Sequence, residues 1–188
     1  MSITANLKKT YYYCKKNGIT DTYYALRERL YARTSPLYMA GYDYVPVSEE
    51  ELQKQRETVF ENAIKFSILV PMYETKSEFA RAMIDSVLAQ TYTNWELILA
   101  DASKTDLVKD VVSGEDGSLS SMGNVYASDS RIRYVRIAEN KGISENTNEA
   151  LKYATGDYIG LVDHDDLLTP DALYEMVLAI QSAEKNGK

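Results

Sequence analysis

Residues 158–169 read YIGLVDHDDLLT, an apolar, strand-like run that delivers Asp163, His164, Asp165 and Asp166 to its C-terminal end. Three carboxylates within four positions repel one another unless a cation or hydrogen-bond donors neutralise them. In an extended chain alternate side chains share a face, so Asp163 and Asp165 point the same way. Paired hard oxygens of this kind suit Mg²⁺ or Mn²⁺ held together with a substrate phosphate. Helix capping does not account for the pair, because Thr169 is a good N-cap, Pro170 suits the first helical position and Asp171 the first turn. Asp163 and Asp165 are therefore the candidate cation ligands. The same alternation turns His164, the only histidine, away from them, and Asp166 is expected to orient the loop.

The elements that would position this motif alternate between strand and helix. Apolar, β-prone runs lie at 66–70, 96–100, 133–137 and 158–162. Between them, a helix capped by Ser77 turns Phe79, Met83 and Val87 inward. A polar stretch over 103–129 holds one irregular helix near 107–112 and then a long exposed loop. A helix over 144–154 ends at Gly156, and Thr169 opens a last one with Leu173, Val177 and Ile180 inward. Such alternation with buried apolar strands means a parallel sheet covered by helices, whose ligands bind at the carboxyl ends of the strands. Pro71, Met72, Tyr73 and Glu74 follow the first strand and Asp101 the second. Asn140, Lys141 and Gly142 follow the third, and Asp163 and Asp165 the fourth. An aromatic ring can stack on a base, a carboxylate can accept from a base N–H, and a lysine and a helix N-terminus can face phosphate. With the acidic pair holding a cation, the rim describes a site for a nucleoside diphosphate.

Residues 1–64 read differently. Nine of the 16 tyrosines lie between Tyr11 and Tyr44. Leu7, Tyr11 and Cys14 recur at helical spacing up to Gly18. Tyr23, Leu26 and Leu30 form a second stripe, closed by Ser35-Pro36. Residues 35–47 read as a loop. Ser48 and Glu51 form a capping-box pattern opening a third helix, with Leu52, Val59 and Ala63 on one face. This segment is expected to be a helical extension packed by its tyrosines, with no chemistry of its own, and residues 65–188 form the ligand-binding domain.

At 188 residues and 45% hydrophobic content the chain can bury a core. A net charge of −7 without a basic stripe argues against a nucleic-acid partner. The one cysteine, Cys14, excludes an internal disulfide. No apolar run reaches membrane-spanning length and the N-terminus has no signal-peptide core, so the expected location is cytoplasmic.

The runs FSILVPMYE, WELILADAS, RIRYVRIAENKGISENTNEAL and GDYIGLVDHDDLLTPDAL, in this order from about Phe66 to Ile180, closely resemble the family 2 glycosyltransferases of GT-A fold. The nearest flavour is the bacterial, rhamnosyltransferase-like group that builds surface polysaccharides. The resemblance implies an α/β, Rossmann-like, mostly parallel sheet. It implies sugar transfer from a UDP- or dTDP-sugar to a glycan acceptor, helped by Mn²⁺ or Mg²⁺. It places Tyr73 near the base, Asp101 on the base imide N–H, Asp163 near the ribose or metal, and Asp165 on the metal. Pro71, Glu74 and Lys141 complete the expected nucleotide rim.

The chain departs from the family in three places. Many relatives have Asn where Glu74 stands, and many have Arg at the position of Thr147, for which Lys141 is a substitute. The family's domain also continues past this motif into an acceptor-binding half that carries a carboxylate general base. The expectation is that residues 65–188 are the nucleotide-binding half, inactive alone, with self-association and peripheral membrane attachment open to the whole protein. A non-catalytic nucleotide-binding or partner-recruiting module is the alternative. An aspartyl-phosphate phosphatase is a minor one, since that site begins with a DxD on an early strand and this one is on the last.

Overall fold

The computed structural model describes residues 3–34, 45–121 and 123–185. The chain divides into two compact units, Met1–Pro46 and Val47–Lys188. The division therefore falls ahead of the 64/65 boundary expected from sequence. The third helix, α2 (Glu49–Glu57), goes with the sheet because Leu52 and Gln55 are buried and the Thr91 hydroxyl donates to Gln55 Oε1 at 2.9 Å. Its N-cap is the one the capping pattern indicates, with the Ser48 hydroxyl accepting from the Glu51 N–H at 3.3 Å. The helix stops at Glu57, so Val59 and Ala63 do not extend its face, and Val59 is exposed. In the first unit, α1 (Ile3–Thr34) is interrupted at Gly18, whose φ of 87° and ψ of 170° break the helical path where the sequence placed a stop. Residues 35–44, within the expected loop, lie outside the described residues.

The second unit is a four-stranded sheet in the order β3-β2-β1-β4, with every pair parallel. The strands are β1 (Phe66–Met72), β2 (Trp95–Asp101), β3 (Ile132–Arg136) and β4 (Tyr158–Leu161). The helices are α3 (Ser77–Leu88), α4 (Leu107–Ser113), α5 (Ile143–Leu151) and α6 (Ala172–Lys185). Alternation along the central strands divides the core. Ile68, Val70, Leu97 and Leu99 join Met83, Val87, Val108, Leu173 and Val177 on one face, whereas Leu69, Ile98 and Ala100 meet Ala150 of α5 on the other.

Four expectations are corrected here. Phe79 is exposed, and Ala80 and Ile84 supply the inward face of α3 beside Met83 and Val87. Ser77 is the first residue of that helix, with Lys76 at the N-cap and no side-chain cap bond. The stretch after α4 is partly folded into the core, because Tyr126 is buried and its hydroxyl donates to Asp85 Oδ1 at 3.3 Å. Finally, β4 is an edge strand whose Ile159 and Leu161 are exposed, unlike the buried β1 and β2.

The end of the sheet opposite the strand termini is tied by a polar knot. Glu96 accepts from Lys65 Nζ at 2.8 Å, the Ser67 hydroxyl at 2.6 Å, and the Thr155 N–H at 2.6 Å and hydroxyl at 2.9 Å. Burial opposes the ionised form, but these donors outweigh it and hold the Glu96 carboxyl down at about 2. Gly156 closes against the same knot so tightly that a Cβ would lie 2.7 Å from Lys65 O and from Ser67 N and Oγ.

Candidate active site

The chain runs β1, β2, β3 in one direction across the sheet and then returns to place β4 on the other side of β1. In a parallel sheet this reversal opens a crevice beyond the carboxyl ends of the two strands, because the connecting helices leave on opposite faces. A cavity of about 530 Å³ lies there. Its wall is formed by Pro71 from β1, Ser144, Thr147 and Asn148 from α5, and Asp163 and Asp166 from the segment after β4.

Residues 163–166 form a turn, not an extended run: the Asp166 N–H donates to the Asp163 carbonyl at 3.1 Å. The alternation that would put Asp163 and Asp165 on one face therefore does not continue past the strand. The turn instead brings Asp163 and Asp166, its first and fourth residues, to the same cavity. Asp165 is exposed beside it, its Oδ1 4.0 Å from His164 Nδ1. That nitrogen is itself buried without a hydrogen-bond partner.

Opposite the acids stands the start of α5. Gly142 reaches the helix through a φ of 91°, a left-handed conformation that favours glycine. Asn140 Oδ1 accepts from the Gly142 N–H at 3.0 Å and from Asn146 Nδ2 at 2.9 Å, which locks the approach. A helix N-terminus carries partial positive charge, and Ile143 and Ser144 of this first turn line the cavity. The Thr147 hydroxyl is turned back to the Ile143 carbonyl at 2.7 Å. Ser144, Thr147 and Asn148 share one helical face by their i, i+3, i+4 spacing. That spacing is the signal by which sequence reading could have added Ser144 and Asn148 to the site.

The other expected residues form a second cluster at the rim of β1, β2 and β3. Asp101 is fully buried. Its Oδ1 accepts from the Ser103 N–H at 2.9 Å, and its Oδ2 from the Tyr134 hydroxyl at 2.8 Å and Arg136 Nη1 at 3.3 Å. Burial raises the Tyr134 hydroxyl to about 12, so it remains a donor across the physiological range. Glu74 accepts from the Lys104 N–H at 2.8 Å and the Thr105 hydroxyl at 3.2 Å. Both carboxylates thus serve the rim itself, and Asp101 meets a ligand directly only by exchanging one of these partners. Tyr73, the residue after β1, is half-exposed and is not among the residues that line the cavity. Lys141 is exposed, with Nζ 4.0 Å from Glu139, and lines a separate cavity of about 290 Å³ between the end of β3 and α5.

Among the described residues no three His, Cys, Asp or Glu side chains are gathered into a metal cage. The hard oxygens of the 163–166 turn fit a cation of another kind, one held by one or two carboxylates and completed by substrate phosphate and water.

A parallel sheet with its cavity at the strand-order reversal and an acidic turn after the last strand defines a GT-A glycosyltransferase domain. Chain 67–187 matches the model of Glycosyl transferase family 2, and the protein belongs to that family. It is 34% identical over 62% of its length to the putative glycosyltransferase EpsE of Bacillus subtilis. It is 37% identical over 54% of its length to the Escherichia coli UDP-Glc:alpha-D-GlcNAc-diphosphoundecaprenol beta-1,3-glucosyltransferase WfgD. The chain spans 38% of the first of these relatives and 35% of the second. Its fold matches that of Staphylococcus aureus TarS with a TM-score of 0.50 and 22% identity, over 64% of this chain and 20% of that one.

Proposed function

We propose that this chain is the nucleotide-binding part of a metal-dependent glycosyltransferase that moves a sugar from a UDP- or dTDP-sugar to a glycan acceptor. The setting is bacterial polysaccharide or cell-surface synthesis on the cytoplasmic side. The observation that carries the reading is the cavity at the β1/β4 reversal, with Asp163 and Asp166 facing the first turn of α5. Family membership supports the reaction class, and the names of relatives such as WfgD support the donor and acceptor chemistry.

In this reading the diphosphate lies between the acidic turn and the N-terminus of α5. Asp163 and Asp165 hold a divalent cation, Mn²⁺ or Mg²⁺, which supplies positive charge to the leaving diphosphate when bound. Asp166 orients the turn through its N–H. Pro71 forms the floor and Tyr73 covers the base. Asp101 accepts a base N–H in exchange for its 3.3 Å contact to Arg136, the longest of its three. Glu74 keeps the β1 and β2 rims together, and Lys141 approaches the phosphates from the far side of Gly142.

Calorimetric titration with UDP, dTDP, GDP and CDP, each with and without Mn²⁺, tests the reading. Micromolar or tighter binding of a pyrimidine diphosphate that needs the cation supports it. Cation-independent binding, or none of the four bound, overturns it.

A further inference from the structure

The net charge of −7 conceals two unlike parts. Residues 1–46 carry seven Lys and Arg against three Asp and Glu, while residues 47–188 carry 14 against 25. The basic part coincides with the smaller compact unit, Met1–Pro46.

The described portion of that unit is mainly α1, where the large apolar side chains described between Tyr11 and Leu26 are exposed. Beyond the break at Gly18, Ile19 is 80% exposed, Tyr23 62% and Leu26 47%. Their i, i+4, i+7 spacing places them on one face, with Arg27 beside Leu26 and Asp21 on the other side of the helix. Before the break, Tyr11 and Tyr12 are exposed next to Lys15 and Lys16. Leaving aliphatic and aromatic surface in water costs about 25 cal/mol per Å², so this face calls for an apolar partner. The charge pattern says which. Pairing this face with the same face of a second copy would bring two basic helices together and repel. A nucleic-acid backbone would meet the charges but leave Ile19 and Leu26 in water. An anionic bilayer surface satisfies both at once. Its headgroups attract Lys and Arg by about 1 kcal/mol each, its acyl boundary accepts the aliphatic face, and tyrosine rings favour the level between.

We propose that α1 docks this protein in the plane of an anionic phospholipid surface, with Ile19, Tyr23 and Leu26 entering the acyl boundary and Lys15, Lys16 and Arg27 meeting the headgroups. The attachment is peripheral, because among the described residues no helix is long and apolar enough to cross a membrane. The inference rests on α1 alone and stands apart from the nucleotide site.

Co-sedimentation of the full chain with vesicles tests it. One set is phosphatidylcholine alone, and the other is an equal mixture of phosphatidylcholine and phosphatidylglycerol. Binding to the mixture only, released by high salt, is expected. The double variant Ile19→Ser/Leu26→Ser, which leaves the charge unchanged, and the double variant Lys15→Gln/Lys16→Gln should each lower the partition coefficient about tenfold. Both should bind nucleotide as the parent does, a control that separates loss of docking from loss of fold. Equal binding to both vesicle types, no binding to either, or unchanged partition of the variants overturns the proposal. So does a lipid-independent dimer, seen by analytical ultracentrifugation, that Ile19→Ser/Leu26→Ser dissolves, since the partner would then be a second copy.

Discussion

The main-chain N–H of Glu74 donates to the Ser103 hydroxyl at 2.7 Å, and this bond joins the rim of β1 to the rim of β2. Glu74 makes it from a left-handed backbone, with φ at 49°, the one positive φ at a non-glycine among the described residues. Its carboxylate returns to the same loop through Lys104 and Thr105. Ser103 in turn donates its N–H to Asp101, so one chain of bonds runs from the end of β1 to the buried carboxylate.

Strain and hydrogen bonding at Glu74 can be separated by two substitutions. Glu74→Ala keeps the strained backbone and loses the carboxylate, and is expected to cost about 1 kcal/mol. Glu74→Gly loses the same contacts but relaxes the backbone by about 1 kcal/mol, so it should be the more stable of the two. Urea denaturation of both decides it, and a Gly variant less stable than the Ala variant refutes the strain.

Gly156 has no room for a side chain. Gly156→Ala puts a methyl 2.7 Å from the backbone of Lys65, whose carbonyl accepts from the Asp157 and Tyr158 N–H groups, and of Ser67 in β1, neither of which can yield like a flexible side chain. A loss of about 1–3 kcal/mol is expected, the scale of overpacking. A thermal melt within about 1 °C of the parent would contradict it.

Acid should unfold the protein partly through Glu96. Its folded-state value of about 2 lies below the ordinary 4.5. Its contribution is therefore fully present above pH 4.5 and is lost as the pH falls from there toward 2. Glu96→Gln should be less stable than the parent near neutrality by about 1–3 kcal/mol. The gap should narrow as pH falls through that window. Denaturation midpoints measured across this pH range check it, and a gap that stays constant excludes Glu96 as a source of the acid sensitivity.

The acidic turn makes a graded set. In the proposed complex Asp163→Asn and Asp165→Asn each remove a cation ligand and should weaken Mn²⁺-dependent nucleotide binding by about 1–3 kcal/mol. Asp166→Asn keeps the N–H that closes the turn and should cost less. Calorimetry with and without Mn²⁺ ranks them. An Asp166 variant weaker than the other two would move the cation to the pair that lines the cavity.

Much of the fold was legible because it is set by neighbours along the chain. The Ser48 cap, the break at Gly18 and the four strands follow from local hydrogen bonding, glycine's backbone freedom and the period of apolar residues. Those signals ordered the strands in sequence and, with the parallel-sheet rule, put Pro71 and Asp163 at one rim. The turn at 163–166 is not legible in the sequence, because alternation persists only while β4 is paired, and its pairing to β1 stops at Leu161.

What sequence alone determined was the alternation of strand and helix, the polar and acidic residues that follow each strand, and the family. What only the tertiary structure decided was which of those residues remain available. Asp101 and Glu74 look like free carboxylates in the sequence. In the fold their oxygens are taken by Ser103, Tyr134, Arg136, Lys104 and Thr105. Ser144 and Asn148 look like ordinary helix residues, yet they face the cavity. The physical reason is that a carboxylate's partners and a helix's facing direction depend on segments far along the chain, whose approach is set by packing across the sheet and not by local propensity.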